Sequence, residues 1–120
     1  MILKRTNYFE IQNKLININK ELDINLEPLL INYFENYYSK SVFEDISFEI
    51  SNNNNLIFCP LTIERKNKEN YLNFYGNHFY IFFNRFDDKI FNYLEKVLED
   101  IKKEKKIKSI KFLIKKEFIY

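Results

Sequence analysis

The fold is set by the stretch Ile46-Ser47-Phe48-Glu49-Ile50-Ser51, then Asn52-Asn53-Asn54-Asn55, then Leu56-Ile57-Phe58-Cys59-Pro60-Leu61-Thr62-Ile63-Glu64. Its first part alternates, with Ile46, Phe48 and Ile50 on one face and Ser47, Glu49 and Ser51 on the other, the signature of a half-buried strand. Asparagine tolerates the left-handed conformation, so Asn52 to Asn55 reads as a turn. Leu56 to Glu64 is mostly apolar and reads as one strand buried on both faces. Together they predict a β-hairpin.

Working outward, residues 2–6 predict a short first strand. Asn7, with Glu10 three residues on, resembles a capping box. Tyr8, Ile11, Leu15, Ile18 and Leu22 then mark one face of a helix over about residues 8–22. Pro28 suits the start of a second helix, carried by Leu26, Leu29, Leu30, Tyr33, Phe34 and Tyr37 and ending near Ser39. Beyond the hairpin, Arg65 to Asn70 reads as a charged loop. Tyr71 to Tyr75 reads as a strand stopped by Gly76-Asn77, and His78 to Phe83 as an aromatic strand. Asp87 or Asp88 caps a third helix, with Ile90, Phe91, Leu94, Val97, Leu98 and Ile101 facing inward. A last strand covers about 107–114, with Ile110, Phe112 and Ile114 on one face. The expectation is one domain, residues 1–120, of α+β class: a mixed, mostly antiparallel sheet with three helices in the order β-α-α-β-β-β-α-β.

Composition narrows the chemistry. Asn, Ile, Lys, Phe and Tyr supply 72 of the 120 residues, a bias towards A/T-rich codons that strips Lys and Asn abundance of functional weight. One Cys excludes an intramolecular disulfide framework, and one Cys with one His cannot supply a structural zinc set. One Gly excludes P-loops and dinucleotide fingerprints, so no cofactor is expected. The absence of a long apolar run predicts no membrane span. The Met1 to Arg5 start is unlike a signal peptide, and an unpaired Cys suits a reducing compartment, so the expected location is cytoplasmic. Residues 101–120 carry eight Lys against two Glu. Lysines at a helix C-terminus suit its dipole, which speaks against nucleic acid as the partner.

Few constellations could carry a reaction. Cys59 and His78, with Asp87 or Asp88 as orienter, invite a thiol-protease reading, but Cys59 sits in an apolar strand with nothing to stabilise a thiolate and reads as core. Glu44, Asp45, Glu49 and Glu64 read as solvated surface. The aromatic run from Tyr71 to Phe86 reads as core rather than as a base-stacking platform.

Phe43-Glu44-Asp45-Ile46-Ser47-Phe48-Glu49-Ile50, Asn55-Leu56-Ile57-Phe58-Cys59-Pro60-Leu61 and Leu72-Asn73-Phe74-Tyr75-Gly76-Asn77 together resemble the N-terminal half of FemAB-like N-acyltransferases, which are of GNAT type. In that family a strand leads into a hairpin ending near Pro-Leu, and a later strand ends in an aromatic-Gly turn. The resemblance implies a GNAT-like half, incomplete here, acting in aminoacyl or acyl transfer to a cell-envelope sugar or peptide. A C-terminal acyltransferase half would be the partner supplying the donor site. Acyl-CoA enzymes of this type hold pyrophosphate on a Gly-rich loop opening a helix. Phe83-Asn84-Arg85-Phe86-Asp87-Asp88 has no Gly there and two carboxylates, which argues against catalysis by this chain alone. The alternative is a small binding module that forms a homo-oligomer through an edge strand in 107–120. The candidate substrate-binding surface is the turn Tyr75-Gly76-Asn77-His78, where the one Gly and the one His meet, with no catalytic residue or metal ligand assigned.

Overall fold

The computed structural model describes residues 1–18, 40–111 and 114–117. Among them are nine strands and two helices: β1 (Ile2–Arg5), α1 (Tyr8–Ile18), β2 (Val42–Asp45), β3 (Phe48–Asn52), β4 (Asn55–Cys59), β5 (Thr62–Lys66), β6 (Glu69–Asn73), β7 (Tyr80–Phe83), α2 (Asp88–Glu104), β8 (Ile107–Ile110) and β9 (Ile114–Glu117). The strands form two sheets. One runs β1-β3-β4-β7-β9 and the other β2-β5-β6-β8. All pairs are antiparallel except β6 with β8 and β7 with β9.

The α+β class with mostly antiparallel pairing therefore stands, but the expected GNAT order does not. Among the described residues, two sheets and two helices stand where a single GNAT-order sheet with three helices was expected. The expected second helix, and the end of the first, fall outside the described residues. Each difference has a local cause. Leu56 to Glu64 is not one strand, because Pro60 has no N–H for a ladder. The chain turns there, so β4 joins one sheet and β5 the other. Ile46 and Ser47, expected to open the alternating strand 46–51, instead form a break between β2 and β3, which lie in different sheets. The break is fastened by Ile46 N–H to Leu61 O at 2.9 Å and Leu61 N–H to Ser47 Oγ at 2.9 Å. The expected loop Arg65 to Asn70 is a tight hairpin instead. Asn67 and Lys68 take φ of 53° and 64°, the paired left-handed geometry of a two-residue turn. The expected last strand also divides, β8 joining one sheet and β9 the other.

The elements that formed as expected are those whose signal is local. Asn7 caps α1, its Oδ1 accepting from Glu10 N–H at 3.0 Å. Asn53, with φ 56°, closes the β3–β4 hairpin, whose register pairs Phe48 with Cys59, Ile50 with Ile57 and Asn52 with Asn55. In α2, Ile90, Phe91, Leu94, Val97, Leu98 and Ile101 are all buried, and Asp87 is the N-cap. Phe91 meets Phe83 edge-on at 5.2 Å, which sets α2 on the face of the five-stranded sheet that carries Ile57. Lys14 of α1 reaches Glu49 at 2.7 Å, and Glu49 alternates with Phe48 and Ile50, which sets α1 on the opposite face.

Candidate functional site

The four-stranded sheet carries a polar face. Residues opposite one another in a sheet share a face, and along a strand that face returns at every second residue. The register opposes Thr62 to Asn73, Glu64 to Tyr71, and Tyr71 to Ser109. Thr62, Glu64, Tyr71, Asn73 and Ser109 therefore point one way, and Ile63 and Leu72 point the other, into the core.

A cleft of about 450 Å³ opens on this polar face, bounded by Glu64, Tyr71, Asn73, Gly76, Ser109 and Lys111. Its floor is a closed hydrogen-bond network. Asn73 Nδ2 donates to Glu64 Oε1 at 2.7 Å, and the Ser41 hydroxyl donates to Glu64 Oε2. The Thr62 hydroxyl donates to the Asn73 carbonyl at 2.9 Å and accepts from Tyr75 N–H at 2.9 Å. Asn73 Oδ1 accepts from Gly76 N–H at 3.0 Å. Thr62, Asn73 and Glu64 are only 0%, 3% and 8% exposed. Buried polar groups are tolerated when their bonds are made, and no buried side-chain polar atom among the described residues lacks a partner. The network therefore fixes the side chains that face the cleft.

At the rim, the Tyr71 hydroxyl donates to Glu69 Oε2 at 2.9 Å, and Lys108 Nζ meets the same oxygen at 2.8 Å. Hydrogen bonds from Lys108 and then Tyr71 hold the Glu69 carboxyl below its ordinary range. The Tyr71 phenol is raised because its proton is held by Glu69, and Lys108 is raised by its bond to the same carboxylate.

The turn singled out in the sequence borders this cleft. Phe74 and Asn77 exchange both backbone bonds, at 2.9 and 3.0 Å. Tyr75 and Gly76 between them have φ of 48° and 86°, the left-handed pair of a tight turn. Gly76 lines the cleft. Tyr75 instead packs inward against Tyr8, Phe43 and Phe74, at ring separations of 5.8, 5.2 and 5.2 Å. Asn77 is half-buried, its Nδ2 donating to Tyr75 O at 3.2 Å, and His78 is exposed. The turn thus shapes one wall of the cleft, chiefly through Gly76.

The other candidates disperse. Cys59 is completely buried, and burial pushes its thiol well above the usual range. Asp87 is committed to structure, Oδ1 accepting from Lys89 N–H at 2.9 Å and Oδ2 from Asn55 Nδ2 at 2.8 Å. Asp45 is a brace, accepting from Tyr8 N–H at 3.0 Å and Ser47 N–H at 2.9 Å. Glu49 is paired with Lys14. Glu64, expected at the surface, is the exception that matters, since it lies buried at the foot of the cleft. The alternation Thr62-Ile63-Glu64 against Tyr71-Leu72-Asn73 carried that signal. Reading Arg65 to Asn70 as a loop hid it. Among the described residues, no group of three or more His, Cys, Asp and Glu is placed to hold a metal. No helix there is long and apolar enough to cross a membrane.

Chemically, the cleft offers a carboxylate, an amide, a hydroxyl, a phenol ring and ammonium groups, a set able to orient a small hydroxylic or amide-bearing ligand. No family model matches the chain, and no curated protein or solved structure matches it.

Proposed function

We propose that the chain is an acceptor-binding module in aminoacyl or acyl transfer to a cell-envelope sugar or peptide, acting in the cytoplasm beside a second, C-terminal acyltransferase half. The sequence resemblance to FemAB-like proteins supports the transfer class. The observation that carries the acceptor role is the cleft itself, a polar opening whose Glu64 and Asn73 are bonded to each other, with Asn73 held from beneath by the buried Thr62. Such a floor suits a sugar or peptide, whose hydroxyl and amide groups need fixed partners.

Donor binding is assigned elsewhere because the start of α2 is already occupied. Asp87 accepts from Lys89 N–H, one of the free donors that a phosphate would use. A phosphate placed there would also meet the charge of Asp87 and Asp88.

Calorimetry tests this reading with two kinds of ligand. Short cell-wall sugar and peptide fragments are expected to bind with heat, and acetyl-CoA is expected to give none at micromolar concentration. Micromolar acetyl-CoA binding with silent fragments would reverse the assignment.

A second reading, a homo-oligomer joined through the C-terminal edge, is favoured by one observation. Among the described residues, β8 and β9 each end their sheet, leaving one backbone edge apiece. Light scattering that gives a dimer mass at micromolar concentration supports this reading, and a monomer mass removes it.

A further inference from the structure

We infer that the cleft recognises a primary ammonium group, with the Glu64 carboxylate as its counter-ion and an anionic group of the same ligand held at the lysine rim. This deepens the acceptor reading and rests on it.

Glu64 is held by neutral donors. Its two oxygens take hydrogen bonds from Asn73 Nδ2 and the Ser41 hydroxyl, both neutral donors. The ion pairs among the described residues are Lys14 with Glu49 and Lys108 with Glu69, so Glu64 has no cation of its own. A carboxylate can accept about four hydrogen bonds, and the two that Glu64 makes leave acceptor capacity on a residue that borders the cleft. A buried charge attracts an opposite charge more strongly than a solvated one does, because water screens it less. A neutral hydroxyl could meet the same oxygens but would leave the charge uncompensated.

The rim supplies the opposite sign. Lys66 and Lys111 border the same cleft, and both are exposed. Lys111 is anchored through its backbone, its N–H donating to Leu72 O at 2.8 Å. Two ammonium groups at the mouth repel a bare amine. They favour a ligand whose own ammonium is accompanied by a carboxylate or phosphate. A short peptide and a phosphorylated amino sugar both have that chemistry.

Matched ligand pairs test the inference on the unaltered protein. Alanyl-alanine and glucosamine 6-phosphate are titrated beside N-acetyl-alanyl-alanine and N-acetylglucosamine 6-phosphate, followed by amide chemical shifts. The free amine of at least one pair is expected to bind about tenfold or more tightly than its acetylated partner, as for a lost charge-assisted bond. The arm that shows the difference identifies the source as peptide or sugar. Glu64→Gln is expected to abolish the difference between the free and the acetylated ligand, with a urea midpoint measured alongside to establish folding. Equal binding within each pair overturns the ammonium inference and leaves the acceptor reading standing. Binding by none of the four ligands overturns both.

Discussion

Thr62 shows how a single buried hydroxyl organises the cleft. It donates to Asn73 O and accepts from Tyr75 N–H, so it ties β5 to the end of β6 and to the turn beyond. Thr62→Val keeps the shape and removes both bonds, leaving a buried backbone N–H and carbonyl short of a partner. The expected loss is about 1–3 kcal/mol, read as a lower urea midpoint. Gly76 has a separate role, since its φ of 86° is a conformation that a β-carbon disfavours. Gly76→Ala is expected to cost about 1–2 kcal/mol by the same measurement. Cys59 lies at the other extreme. With no exposure and a thiol raised by burial, it is expected to react with a thiol reagent only as fast as the native state opens. Rapid labelling of the folded protein would contradict its placement.

Among the elements, α2 was the most legible in the sequence and the four-stranded sheet the least. All six apolar positions read for α2 are buried, because a helix writes its face at a period set by its own backbone. The sheet depends on where chains kink and which strands meet, and neither is a local property. Pro60 marked one kink in plain sight. Ser47 did not, because its polar side chain matched the expected solvent face while the structure buries it and bonds it to Leu61. The Asn67-Lys68 turn was hidden by charge. Arg65, Lys66, Lys68 and Glu69 read as a loop, yet they are the exposed end of a hairpin. That error also hid Glu64, whose place beside the cleft follows only from its register opposite Tyr71.

Two element-scale predictions follow from the polar contacts. Asp87→Ala removes the cap of α2 and the link to Asn55, and is expected to lower stability by about 0.5–2 kcal/mol in thermal melts. The parallel β6–β8 pair is bridged by Glu69 with Lys108. The Glu69 carboxyl is depressed in the folded state, so its contribution is present above the unfolded value and is lost as pH falls through the folded one. An NMR titration is expected to place Glu69 below an ordinary glutamate, and Lys108→Ala is expected to move it upward.

At the scale of the whole molecule, the cleft exists because the chain divides its strands between two sheets. The five-stranded sheet has helices on both faces, shown by Phe83 with Phe91 on one side and Glu49 with Lys14 on the other. The four-stranded sheet turns Ile63 and Leu72 into the core and keeps Thr62, Glu64, Tyr71 and Asn73 for its polar face. One part of the molecule thus supplies packing, and the other carries fixed polar groups beside a cleft. The single Gly of the sequence stands at the wall of that cleft, in the turn that the family resemblance had marked.

A ligand seated on this polar face is to be seen most directly by amide chemical-shift mapping during titration with a short cell-wall peptide. The largest shifts are expected on Tyr71, Asn73, Gly76, Ser109 and Lys111. Shifts concentrated on Asp88 and Lys89 at the start of α2, with the cleft amides unmoved, would contradict that placement.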